Sequence, residues 1–140
     1  MDDETLTKRV LALLGILPGW LWDETADAYP KNVTGLYYGR IPDGDHVPDK
    51  AIAAKVYGAP ADGDLKIRRM QLRLRGARLQ LNGADRLADL VFVVLDGLSR
   101  VGGINDIRRI SMTSLGVDTN GRDERTENYQ IRLDNPEASL

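Results

Sequence analysis

The chain has no cysteine, one histidine and one phenylalanine among its 140 residues. Without thiols there are no disulfides, no thiolate nucleophile and no cysteine-ligated zinc, a usage that suits a reducing compartment. The single histidine, His46, lies between two prolines in IPDGDHVPDK. One imidazole excludes multi-histidine metal sites, and that loop context reads as a solvated side chain, not as a base orienting a nucleophile. Long apolar runs are missing too. The longest, VLALLGILPGWLW from Val10 to Trp22, is broken by Gly15, Pro18 and Gly19 and is too short to span a bilayer. Asp2, Asp3 and Glu4 precede it where a secretory signal carries basic residues, so neither export nor a membrane partner is expected. Nor does one sign of charge dominate: 19 Lys and Arg stand against 21 Asp and Glu, a net −2, which argues against a polyanion binder using its whole surface.

What is present is ordinary globular composition, 42% apolar and 29% charged, in a length that makes one domain over residues 1–140. Residues 3–14 read as a helix capped by Asp3, with Leu6, Val10, Leu13, Leu14 and Leu17 as its apolar stripe and Gly15 as its stop. A connector holding both tryptophans, Trp20 and Trp22, completes an N-terminal region over 1–32. The two indoles either clamp the connector to the domain or anchor a partner. Strands are expected at 33–40, 51–58 and 65–76. The third has a phase slip, because Leu65 and Ile67 are odd-numbered while Met70, Leu72 and Leu74 are even. Either a bulge at Arg68-Arg69 or a sheet covered on both faces resolves it.

The periodicity of Leu87, Leu90, Val91, Val94, Leu95, Leu98 and Val101 predicts a helix over 84–101, capped by Asn82 and stopped by Gly102-Gly103. Two strands follow, at about 104–115 and 125–133. In the second, Tyr129, Ile131 and Leu133 alternate inward and Gln130 and Arg132 outward. Between them Asn120-Gly121 predicts a hairpin with a two-residue turn, both φ angles positive. The tail 134–140 reads as loose. The order α-β-β-β-α-β-β gives an α+β fold: an antiparallel or mixed sheet of about five strands with two helices packed on it.

Chemical signatures are scarce. DTNGRDE has acids and a glycine, but the glycine falls at position 4 of a would-be calcium loop and Tyr129 stands at position 12. No phosphate-binding glycine loop and no G-x-S-x-G elbow occurs. Carboxylates alone leave room for a small cofactor-free enzyme, but no catalytic, cofactor-binding or metal-binding residue can be named. Arginines cluster at Arg68, Arg69, Arg73, Arg75, Arg78, Arg108 and Arg109. They fit pairing across a subunit boundary, a solvated face, or a nucleic-acid-binding module, although their strands lack stacking aromatics.

The series YYGRIPD, DKAIAAKVYG, IRRMQLRLRG, ADRLADLVFVVLDGL and IRRISMTSLGVDTNGRDERTENYQIRL resembles the tail-terminator proteins of long-tailed bacteriophages, also filed as minor capsid or tail-completion proteins. The resemblance runs from about Leu36 to Leu133 and is closest in GVDTNGRDERTENYQIRL. It does not extend to ILPGWLWDETADAYP. It implies a structural, non-enzymatic virion protein without cofactors, assembled in the host cytoplasm. Such a subunit forms a ring, usually of six, that closes the tail tube and receives the head-completion complex. The implied partners are other copies of itself, the tail tube protein and a head-closure connector, with genomic DNA passing through the lumen without sequence-specific binding. A neighbouring connector of similar fold is the close alternative. In that setting the charged hairpin is suited to cross a subunit boundary, with Arg122, Asp123, Glu124 and Arg125, and Arg68 and Arg69 on the earlier strand, as interface candidates. Trp20 and Trp22 are the candidates for partner binding.

Overall fold

A computed structural model describes residues 1–59 and 66–134. Along the chain lie α1 (Asp3–Leu14), β1 (Trp20–Leu21), β2 (Thr34–Tyr38), β3 (Ala51–Gly58), β4 (Ile67–Arg78), α2 (Gly83–Leu95), β5 (Ile104–Val117) and β6 (Arg122–Leu133). The strands form one mixed sheet in the order β1-β2-β3-β4-β6-β5. β1, β2 and β3 run parallel; β3, β4, β6 and β5 are successively antiparallel. The sheet has six strands, one above the expected count, because Trp20 and Leu21 pair with Thr34 and Gly35 at its edge.

Cross-strand register sorts the side chains. Ile52 lies opposite Leu74, Ala54 opposite Leu72 and Val56 opposite Met70, and β4 carries the same face on to Tyr129 and Ile131 of β6. These join Leu6, Val10, Leu11 and Leu14 of α1 and Leu87, Ala88, Val91 and Leu95 of α2 in one buried cluster. Both helices therefore cover the same face. Burial of each such leucine contributes about 1.5–3 kcal/mol before the entropy of ordering it.

Local chemistry moves several expected boundaries. The cap of α1 is Asp2, whose carboxylate accepts from the Thr5 amide at 2.7 Å; Asp3 is inside the first turn. Leu11 replaces Leu13 in the buried stripe. α2 ends at Leu95 rather than 101, since Asp96 is extended and Gly97 has a φ of 80°. It is about 20 Å long at 1.5 Å per residue. Asn82 makes no side-chain cap bond; the Asp123 carboxylate, from β6, accepts the Ala84 amide instead. Leu90 turns out exposed, not on the buried face.

The phase slip of β4 is not repaired: Ile67 stays on the face opposite Met70, Leu72 and Leu74 and is half-buried there. β4 pairs with β6 without interruption from Ile67 to Arg75, so no bulge occurs at Arg68-Arg69. The register shift lies in β3, between Val56 and Gly58. Met70, Leu72 and Leu74 face the helices, and Gln71 and Arg73 the open side. Leu65, the loop at 60–64 and the tail from 135 lie outside the described residues.

The β5–β6 hairpin forms, but with another turn. Gly121 takes the positive φ, 77°, while Asn120 does not. The Gly121 amide donates to the Asp118 carbonyl, and the Asp118 amide to the Arg122 carbonyl. This is a turn followed by a left-handed glycine, the three-residue alternative to the two-residue Asn-Gly hairpin. The Asp118 side chain decides it by accepting the Asn120 and Arg122 amides, each at 2.9 Å.

Candidate interaction surfaces

The hairpin's charged residues fold back on their own chain. Arg125 reaches through the helix layer to Asp85 of α2 at 2.9 Å and to Glu127 at 3.3 Å. Glu127 is fully buried and also binds Arg109 of β5 at 3.1 Å, while the Arg109 guanidinium lies 4.3 Å from the centre of the Phe92 ring. A carboxylate without solvent is tolerated because two guanidiniums satisfy it. Burial holds the neighbouring Tyr129 phenol above its ordinary range.

At the tip, Arg122 donates to Asp118 at 2.8 Å and approaches Asp49 at 3.4 Å. Arg78 also holds Asp49, at 3.0 Å. Arg75, buried on the open face, donates to the carbonyls of Pro48 and Asp49, which binds the 47–49 segment across the sheet. Hydrogen bonds and charge from these arginines hold both carboxylates acidic. For Asp118, burial would raise the pKa, but the bonds from Arg122 and the Asn120 amide outweigh it; for Asp49, Arg78 does the same.

Of the expected interface residues, Arg122 and Asp123 are therefore buried, Glu124 is paired with Arg73 at 3.3 Å, and Arg125 is held beneath α2. Arg68 ties β4 to α1 by bonding Asp3 at 2.9 Å, and Arg69 is half-buried opposite Gln130. Trp20 belongs to the core; Trp22 is half-buried against it. Trp22 also lines a cavity of about 320 Å³ with Tyr29, Tyr37, Tyr38 and the exposed His46. Burial pushes the Tyr37 phenol up to about 12, which leaves it protonated at neutral pH.

Three features offer surface to a partner. First, the outer edge of β5 is bonded to the 96–101 segment as far as Arg109, through Val101, Leu98, Gly97 and the Asp96 carboxylate, and is open beyond it from Ile110 to Val117, about 26 Å. From Ile110 to Val117 it carries no charge and no proline, and Ile110, Met112, Leu115 and Val117 are 44–53% exposed. Natural edges are ordinarily blunted by lysine or proline. Here only register shifts near Asn105, Ile110 and Leu115 interrupt it.

Second, Leu79 and Leu81 project beside the hairpin tip, 88% and 83% exposed. Leu79 has a φ of 62° and donates its amide to the Gly121 carbonyl at 2.8 Å. A left-handed leucine costs about 1–2 kcal/mol. The sequence carries a trace of this, since Leu79 and Leu81 are odd-numbered after a core set that is even.

Third, an apolar groove of about 240 Å³ runs between the end of α1 and the start of β5, lined by Ala12, Leu13, Ile16, Val101 and Ile104 with Arg9 on its rim. Ile16 is 78% exposed there. The open sheet face, by contrast, is polar: Gln71, Asn128 and Ser111 form a hydrogen-bonded row across three strands.

A family model described as bacteriophage tail terminator protein matches residues 22–135. The chain belongs to that family. Membership gives it a structural role in the phage tail and a place in the virion. No curated protein matches it. The family match opens at Trp22, so it takes in the second half of the connector, which no sequence resemblance reached, and leaves α1 outside. Among the described residues, no helix is long and apolar enough to cross a membrane.

Proposed function

We propose that the chain is the subunit of a ring, of six copies, that closes the tail tube and receives the head-side connector, with DNA passing through its lumen. The observation that carries this, within the family, is the uncharged second half of β5, Ile110 to Val117, whose outer edge is exposed in a lone chain. Such an edge is stable in solution when a neighbouring subunit covers it. A repeated head-to-tail contact of this kind closes when its rotation permits. Each contact has to bury at least about 1,000 Å².

The hairpin is the proposed contact, with a division of labour inside it. Arg122, Asp123, Glu124 and Arg125 fix the arm's shape through bonds to Asp118 and Asp49, the amide of Ala84, Arg73 and Asp85, and β5 presents the surface. The activity is assembly, not catalysis. A nucleic-acid module has less support, since Arg73, Arg122 and Arg125 are already paired with carboxylates.

Light scattering and electron microscopy of the purified protein, alone and with tail tubes, test the reading. Sixfold rings, free or seated on tube ends, are expected. A chain that stays monomeric in both settings overturns it.

A further inference from the structure

The ring reading leaves open which parts of two neighbours meet, and two apolar features of the surface answer each other. Leu79 and Leu81 stand at the hairpin tip, where Leu79 bonds Gly121. The groove of Leu13, Ile16, Val101 and Ile104 begins where β5 begins. The two lie near opposite ends of β5, about 35 Å apart as measured by the ten paired steps of β6, so one chain cannot bring them together.

We propose that Leu79 and Leu81 of one copy insert into the α1–β5 groove of the next. This inference rests on the ring reading and specifies its contact. Three observations carry it. Leu79 holds a left-handed backbone while its side chain is almost wholly exposed, and strain kept for the display of an apolar group points to a use outside the chain. The groove, lined by Ala12, Leu13, Ile16, Val101 and Ile104, fits aliphatic side chains. The rims also differ in sign. At the tip Arg78 and Arg122 are paired with Asp49 and Asp118, and Asp43 and Asp45 beside them are exposed, while Arg9 borders the groove and exposed Arg100 adjoins it. Knob and groove on different parts of the surface make a heterologous contact, the kind that builds a ring and not a closed dimer.

The absence of native cysteine makes cross-linking clean. A chain carrying Leu79→Cys and Ile16→Cys together, oxidised under assembly conditions, should give a covalent ladder that stops at the ring number. An equimolar mixture of the two single variants should stop at dimers, and Leu79→Cys alone should give none. Rings visible by microscopy without these cross-links would overturn the knob-and-groove contact and leave the ring standing. Self-linking of Leu79→Cys at equal yield would replace it with a symmetric contact. Monomers in every setting would remove both.

Leu79→Asp should weaken assembly about tenfold or more. The circular dichroism should stay unchanged because the side chain is exposed. Pairing Leu79→Arg with Ile16→Glu should restore assembly that Leu79→Arg alone abolishes. Failure of that rescue, with both proteins folded, would count against the contact.

Discussion

Glu127 and Arg125 occupy the same face of β6, two residues apart, and their side chains meet at 3.3 Å beneath α2 with the carboxylate wholly removed from solvent. Arg109 meets the same carboxylate from β5. Glu127→Ala leaves Arg125 with Asp85 alone and takes from Arg109 its carboxylate partner, and should cost about 1–3 kcal/mol. Urea denaturation of the two proteins measures it. A loss under about 1 kcal/mol would mean that water reaches the site and the pair is not structural.

Gly76 and Gly83 let α2 begin directly on β4. A Cβ added at Gly76 would stand 2.5 Å from the Cα of Gly83, and one added at Gly83 would stand 2.8 Å from the Cα of Gly76. The neighbour in each case is backbone and cannot rotate away. Gly76→Ala should therefore destabilise by about 1–3 kcal/mol or more through displacement of the helix start. The melting temperature is the measurement; an unchanged or raised value would show that the two segments separate freely.

Leu87 and Leu90 share the periodicity of α2 and part company in the fold, the first 5% exposed and the second 44%. Leu87→Ala should cost about 2–5 kcal/mol. Leu90→Ala should stay within about 0.5 kcal/mol, as for a surface position. Equal costs would place the helix in a different rotation.

Asp49 and Asp118 are both held below their ordinary carboxylate values. A depressed folded pKa contributes stability that is present above the unfolded value, about 3.9, and is lost as pH falls through the folded one. The tip clamp should therefore be intact at neutral pH and release only in acid below about pH 4. Denaturation profiles across pH 2–6 should be flatter for Asp118→Asn than for the parent chain. Superimposable profiles would remove Asp118 from the clamp.

Much of this architecture is legible in sequence because the signals are local. β3 lies at 51–58 as expected, and Tyr129, Ile131 and Leu133 face inward as their spacing implies. Caps and turns were less legible, because they depend on distant partners. Asn82 sits at a helix start but Asp123, 39 residues beyond Ala84, supplies the bond there. Asn120-Gly121 predicts one turn, and the carboxylate of Asp118 selects another. The interaction surface was the hardest to read. Charged residues in the hairpin look available in sequence, yet folding brings Asp49 and Asp85 to them from other elements. The exposed stretch from Ile110 to Val117 is uncharged, and exposure of a leucine leaves no mark on composition.

The knob and its groove sit at the two ends of β5, and that placement governs how copies accumulate. Every open chain of subunits, whatever its length, ends with one unused knob and one unused groove; only the closed circle has neither. Growth should thus proceed until closure and then stop, so that partial arcs are scarce and completed rings resist dilution. A tube end that aligns the first few copies would favour closure on the tube over closure in free solution.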